Sequence, residues 1–89
     1  MDSVCTAILV DGTGTVKDRS GRLGAIAGTV TAAGTLVLRD GGETGGVILQ
    51  QPLEEGWMQI DVPGVLAFKT DVHATFDDSL EGALTLYFR

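Results

Sequence analysis

The sequence predicts an all-β domain: a small β-sandwich of jelly-roll type or a partly open barrel, with about seven or eight antiparallel strands and no significant helix. Three observations lead there. Apolar and polar residues alternate with a period of two along most of the chain, as in TLVLRD at residues 35–40, where Leu36 and Leu38 share one face and Thr35, Val37 and Arg39 the other. Turn clusters of Gly, Asp, Ser and Pro recur about every ten residues. Glycine supplies 13 of the 89 residues, a density that helix interiors do not tolerate.

Residues 3–10 alternate Val4, Thr6, Ile8 and Val10 against Cys5, Ala7 and Leu9, and β-branched side chains dominate the first set, so they read as a first strand. A turn follows at Asp11, Gly12, Thr13 and Gly14, then an extended stretch at 15–17 and a second turn at 18–21. Residues 22–33 place Leu23, Ile26, Ala27 and Val30 at spacings that suit a helix as well as a strand. Gly24 and Gly28 decide against the helix, since each costs about 1 kcal/mol relative to Ala in a helix interior. A strand with a glycine bulge or kink fits better, and Thr29, Val30 and Thr31 support it.

The stretch GTLVLRDGGETGGVILQ, residues 34–50, reads as two strands joined by a loop with glycines at 41, 42, 45 and 46, and it organises the chain. Its register stays open: Leu36 and Leu38 face Val47 and Leu49, or Ile48. Residues 51–56 read as a loop, because Pro52 cannot donate within a central strand and Glu54 and Glu55 favour water. Residues 57–62 form a strand with Met58, Ile60 and Val62 on one face and Gln59 and Asp61 on the other, and Pro63 and Gly64 punctuate it. Strands at 65–70 and 72–77 follow, the second with Val72, Ala74 and Phe76 inward and His73 and Thr75 outward. An acidic turn at 77–82 leads to a last strand at 83–89, with Leu84, Leu86 and Phe88 inward against Thr85, Tyr87 and Arg89.

Residues 1–89 make one domain, with 1–11 readable as an N-terminal arm or an exchanged edge strand. A chain this short has a thin core, and with 44% hydrophobic residues and no internal disulfide (Cys5 is its only cysteine) it is expected to gain stability by association. A net charge of −6 argues against nucleic acid as a partner. Lys17, Arg19 and Arg22 come nearest to a basic patch, but Asp18 lies among them. Asp2 stands where a signal peptide would carry a basic residue, and the apolar run at 7–10 is too short for a membrane span, so synthesis in a cytoplasm and no membrane partner are expected.

Chemical machinery is hard to assemble. His73 with Asp71 could clip a metal, with Asp61 joining from a neighbouring strand, yet zinc would need more ligands than this, and no metal site is expected. Asp77, Asp78 and Glu81, or Asp40 with Glu43, lack the ligand alternation of a calcium loop. There is no nucleophile elbow and no phosphate-binding glycine loop, so the reading is of a protein that is not an enzyme and takes no cofactor. Trp57 and Tyr87 lie opposite the inward sets of their strands and are candidates for a protein interface or a sugar-stacking platform.

Several stretches carry a likeness: TGTV at 13–16, GRL at 21–23, AGTLVLRDG at 33–41, PGVLAFKT at 63–70 and LTLYFR at 84–89. In them the chain resembles the small all-β structural proteins of tailed-bacteriophage morphogenesis clusters, over about residues 13–89. The resemblance implies a virion component located on the capsid surface or in the head–tail region. Its leading form is a capsid cement or decoration protein that binds across junctions of the major capsid protein, often as a homotrimer. A neck, tail or head-fibre β-domain is the alternative, and a carbohydrate-binding module using Trp57 and Tyr87 a more distant one. On the cement reading the contact residues would be Val4, Thr6, Ile8 and Val10 of the N-terminal strand, together with Trp57 and Tyr87.

Overall fold

The computed structural model describes residues 6–88, and the side chains of all of these except residues 63–65. Eight strands follow one another: β1 (Thr6–Val10), β2 (Gly14–Lys17), β3 (Gly21–Ala32), β4 (Gly34–Asp40), β5 (Gly46–Leu53), β6 (Gly56–Phe68), β7 (Val72–Phe76) and β8 (Glu81–Phe88). They form two antiparallel sheets of four, in the orders β1-β8-β3-β6 and β2-β7-β4-β5. Strands pair as β1 with β8, β2 with β7, β3 with β6 and β4 with β5, so the chain doubles back at the β4–β5 hairpin into one long ribbon. Rolling that ribbon up adds the pairs β3 with β8 and β4 with β7. Such an order is the eight-stranded jelly roll. Only the β4–β5 turn stays within a sheet; every other connection crosses between the two.

Alternation explains why two sheets close on each other. Each strand has one apolar face, and a sandwich buries both sets at once. One sheet contributes Val10, Leu23, Ile26, Val30, Leu84, Leu86 and Phe88, and the other Leu36, Leu38, Leu53, Val72 and Ala74, all buried. Leu36 and Leu38 in β4, and Leu84, Leu86 and Phe88 in β8, point inward as their spacing requires.

The ambiguous stretch is strand β3, which ends at Ala32, and one of its glycines interrupts it. The β3 register with both neighbours shifts between Leu23 and Ala25, at Gly24. Gly28 has a different reason: a Cβ there would collide with the carbonyl oxygen of Ala83 in β8, so the central strand needs a residue without one.

Both prolines correct the sequence reading. Pro52 lies within β5 rather than in a loop, and Pro63 and Gly64 lie within β6 rather than dividing two strands. The cause is the same in each case, since β5 and β6 are edge strands, where a missing N–H need not break a ladder. In β6 the ladder steps from Leu66, opposite Leu23, to Asp61, opposite Ala25, leaving residues 62–65 as an irregularity around Pro63.

The open register of the hairpin resolves as Leu36 with Gln51 and Leu38 with Leu49, then Arg39 with Val47, so Ile48 is an extra residue on β5. Gly41 and Gly42 take φ of 105° and 83° in the turn, a region that side chains disfavour. Arg39 Nη1 donates to the carbonyl oxygen of Gly45 at 3.0 Å and braces the turn from below.

Candidate interaction surface

Among the described residues most charge sits at the ends of the sandwich. At one end the β1–β2, β5–β6 and β7–β8 connections and the start of β8 bring together Asp11, Glu54, Glu55, Asp77, Asp78 and Glu81, with no Lys or Arg among the described residues there. A shallow depression of about 440 Å³ opens at that end, its lining including Asp11, Glu81, Phe76 and Leu80. The other end is balanced, with Lys17, Arg19, Arg22 and Lys69 against Asp18, Asp40, Glu43 and Asp71.

Between the ends, the outward face of the β1-β8-β3-β6 sheet is almost without charge. The registers align it in rows: Ala7, Tyr87, Ala25 and Asp61; then Leu9, Thr85, Ala27 and Gln59; then Ala83, Thr29 and Trp57. Among the described residues Asp61 is its one carboxylate, and Arg22 and Glu81 border it at the two ends. An outward antiparallel face normally carries polar residues to meet water. Here Ala7, Ala25, Ala27 and Ala83 are set among neutral polar residues, Thr29, Thr85, Gln59 and Tyr87, while Leu9 (66% exposed) and Trp57 (70% exposed) stand on the two edge strands.

Of the residues singled out by sequence, Trp57 and Tyr87 share this face, Trp57 exposed and Tyr87 half-buried. They stand two strands and about four residues apart, or roughly 16 Å at the usual sheet spacings. Thr6 is exposed, whereas Ile8 packs against the core and Val10 is part of it. Val4 lies outside the described residues. The outward side chains of β1 are instead Ala7 and Leu9, and the same alternation that marked Ile8 and Val10 assigned these two to the opposite face.

His73 is a correction. Read as outward and solvated, it is 7% exposed, because β7 is a central strand and His73 lies in register between Thr15 of β2 and Arg39 of β4. Its Nδ1 is buried and makes no hydrogen bond. Nor do its suggested partners gather around it: Asp71 Oδ1 accepts from the amides of Gly41 and Gly42, and Asp61 belongs to the other sheet. Among the described residues no three of His, Cys, Asp and Glu, the acids at the sandwich end included, are placed to hold one metal ion.

The acidic turns serve the backbone. Asp40 accepts hydrogen bonds from the amides of Lys69, Thr70 and Asp71, which hold its carboxyl below the ordinary value of 3.8. Asp77 is lowered too, first by the amide of Thr35 and then by those of Leu80 and Ser79 and the Ser79 hydroxyl. Thr13 joins the β1–β2 turn to β7, its Oγ1 accepting from the Phe76 amide and donating to the Phe76 carbonyl.

No family model, curated protein or solved structure matches this chain.

Proposed function

We propose that this chain is a non-enzymatic structural protein of a bacteriophage virion, a cement or decoration protein that lays its β1-β8-β3-β6 face on the capsid across junctions of the major capsid protein. The observation that carries the reading is an outward face whose three rows hold a single charged residue, Asp61, in a chain of net charge −6. Concentrating most of the charge at the ends leaves a sheet face that can approach another protein with only Asp61, on the β6 edge, to desolvate or pair. The sequence likeness to small phage structural proteins points the same way.

Size refines the mode of binding. Four strands by three rows cover roughly 400 Å², about half of what one partner contributes to a standard interface. A single copy would therefore hold weakly, and retention would come from association between copies or from several contacts per copy. A shell offers both.

The sugar-binding alternative has one observation in its favour, the exposure of Trp57. Against it, the rough 16 Å between Trp57 and Tyr87 is too long for two rings to stack on one sugar. The deciding experiment mixes the purified chain with undecorated procapsids and counts bound copies. Saturation at hundreds per particle, abolished by Trp57→Ala together with Thr85→Lys, is the expected result. Tens of copies or fewer would move the domain to the neck or tail. No binding, with glycan binding that Trp57→Ala removes, would replace the reading altogether.

A further inference from the structure

A sheet edge presents unpaired N–H and C=O groups, and proteins block such edges to avoid pairing with other chains. The strands of the described residues leave four edges, and three are blocked. The β6 edge contains Pro63 and its ladder interruption, and the β5 edge contains Pro52 and the extra residue Ile48. The β2 edge is four residues long, breaks register between Thr15 and Lys17, and carries the Lys17 charge. On β1 none of these devices is present among the described residues. Its sequence is TAILV, and its register with β8 runs unbroken from Thr6 opposite Phe88 to Val10 opposite Leu84.

We propose that the free edge of β1 pairs antiparallel with β1 of a second copy of this chain, across a two-fold axis at Ile8. That register sets Ile8 opposite Ile8 of the second copy, Ala7 opposite its Leu9, and Thr6 opposite its Val10. The pairing is self-complementary. Ile8 and Val10 lie on the core side, so the inner rows of the two sandwiches meet. On the outer side the exposed Leu9 gains a cover beside the small Ala7, a large residue next to a small one. Five uncharged residues from each copy meet there, so two chains of net charge −6 approach without placing like charges opposite one another.

The pairing deepens the capsid reading but stands on the edge alone. It joins two four-stranded sheets into one of eight, and the outward face, with one Asp61 from each copy, doubles to roughly 800 Å², the share of one partner in a standard interface. A two-fold pair also differs from the homotrimer that the sequence likeness implies, so mass separates the two.

The test is light scattering on the full chain from about 1 to 100 µM, a range that resolves modest affinities. Expected are the mass of two chains for the wild type and for Gln59→Lys, and the mass of one chain for Leu9→Lys, whose dissociation constant rises at least about tenfold. Gln59→Lys adds the same charge to the same face away from the edge. Ala7→Lys repeats the test if the Leu9 variant folds poorly by circular dichroism. A wild type that stays single or forms trimers, a Leu9→Lys and Ala7→Lys that still pair, or a Gln59→Lys that falls apart would each overturn the proposal. Procapsid binding is scored separately: single chains that coat the shell sink the pairing alone, and pairs that ignore it sink the capsid reading alone.

Discussion

Asp40 and Asp71 hold each other's turns in place. Asp40, at the end of β4, accepts from the amides of Lys69 (2.8 Å), Thr70 (2.9 Å) and Asp71 (3.3 Å) in the β6–β7 crossing. Asp71 returns the arrangement, its Oδ1 accepting from the amides of Gly41 (2.9 Å) and Gly42 (3.0 Å) in the β4–β5 turn. Five backbone donors that no ladder reaches are satisfied by two side chains from opposite loops. The hairpin where the ribbon reverses is thereby tied to a crossing between the sheets.

Acid should loosen this clasp. Asp40 and Asp77 both have carboxyls lowered from 3.8 by hydrogen bonds from amides, so the folded state favours their charged forms. A lowered carboxyl contributes stability that is complete above its unfolded value and is lost as pH falls through its folded value. The melting temperature is therefore expected to be level from about pH 8 to 5 and to drop below about pH 4. Asp40→Asn places an NH2 or a single oxygen where two carboxylate oxygens accept. It should melt lower at pH 7 and lose less between pH 5 and 3, and a parallel pair of curves would rule out this account.

Gly28 gives a prediction about packing between strands. A methyl group there would press on the Ala83 carbonyl and on the Leu84 Cα at 2.8 Å, and both belong to the backbone of a neighbouring strand that cannot step aside. Gly28→Ala should cost about 1 to 3 kcal/mol in urea unfolding, the usual range for an overpacked site. Gly46→Ala, with nothing within 4 Å, should cost far less.

His73 predicts the opposite sign. Its buried Nδ1 has no partner, and a buried polar atom without a hydrogen bond is a liability that an apolar side chain of similar shape removes. His73→Leu is expected to leave stability unchanged or to raise it by up to about 1 kcal/mol. A marked loss would mean that the imidazole makes a contact essential to the sheet.

These residues also mark how far the sequence could be read. Faces were legible wherever alternation was regular, so Leu36, Leu38, Leu84, Leu86 and Phe88 pointed inward as expected, and Gly24 marked a real break in β3. Strand order was not legible, because pairing β1 with β8 joins the two ends of the chain and leaves no local trace. Pro52 and Pro63 were misread for that reason: a proline excludes a central strand but not an edge, and edges are known only once the order is known. His73 was misplaced because alternation says which face a residue takes, not whether its strand is flanked on both sides. The charge-poor outward face was half visible, since Trp57 and Tyr87 stand out in the sequence, while Ala7 and Leu9 needed the registers to join them.

Leu86 and Trp57 separate what holds the fold from what it presents. Leu86 is fully buried between β1 and β3, and Leu86→Ala should cost about 2 to 5 kcal/mol through lost burial and the cavity left behind. Trp57, 70% exposed on the β6 edge, touches little of the core, so Trp57→Ala should change stability by no more than about 0.5 kcal/mol. Large exposed aromatics are favoured where a partner covers them. The expected pattern is that Trp57→Ala melts like the wild type and loses procapsid binding, while Leu86→Ala, kept folded at low temperature, binds normally. If Trp57→Ala binds as well as the wild type, the outward face of this sheet is not the surface that meets the shell.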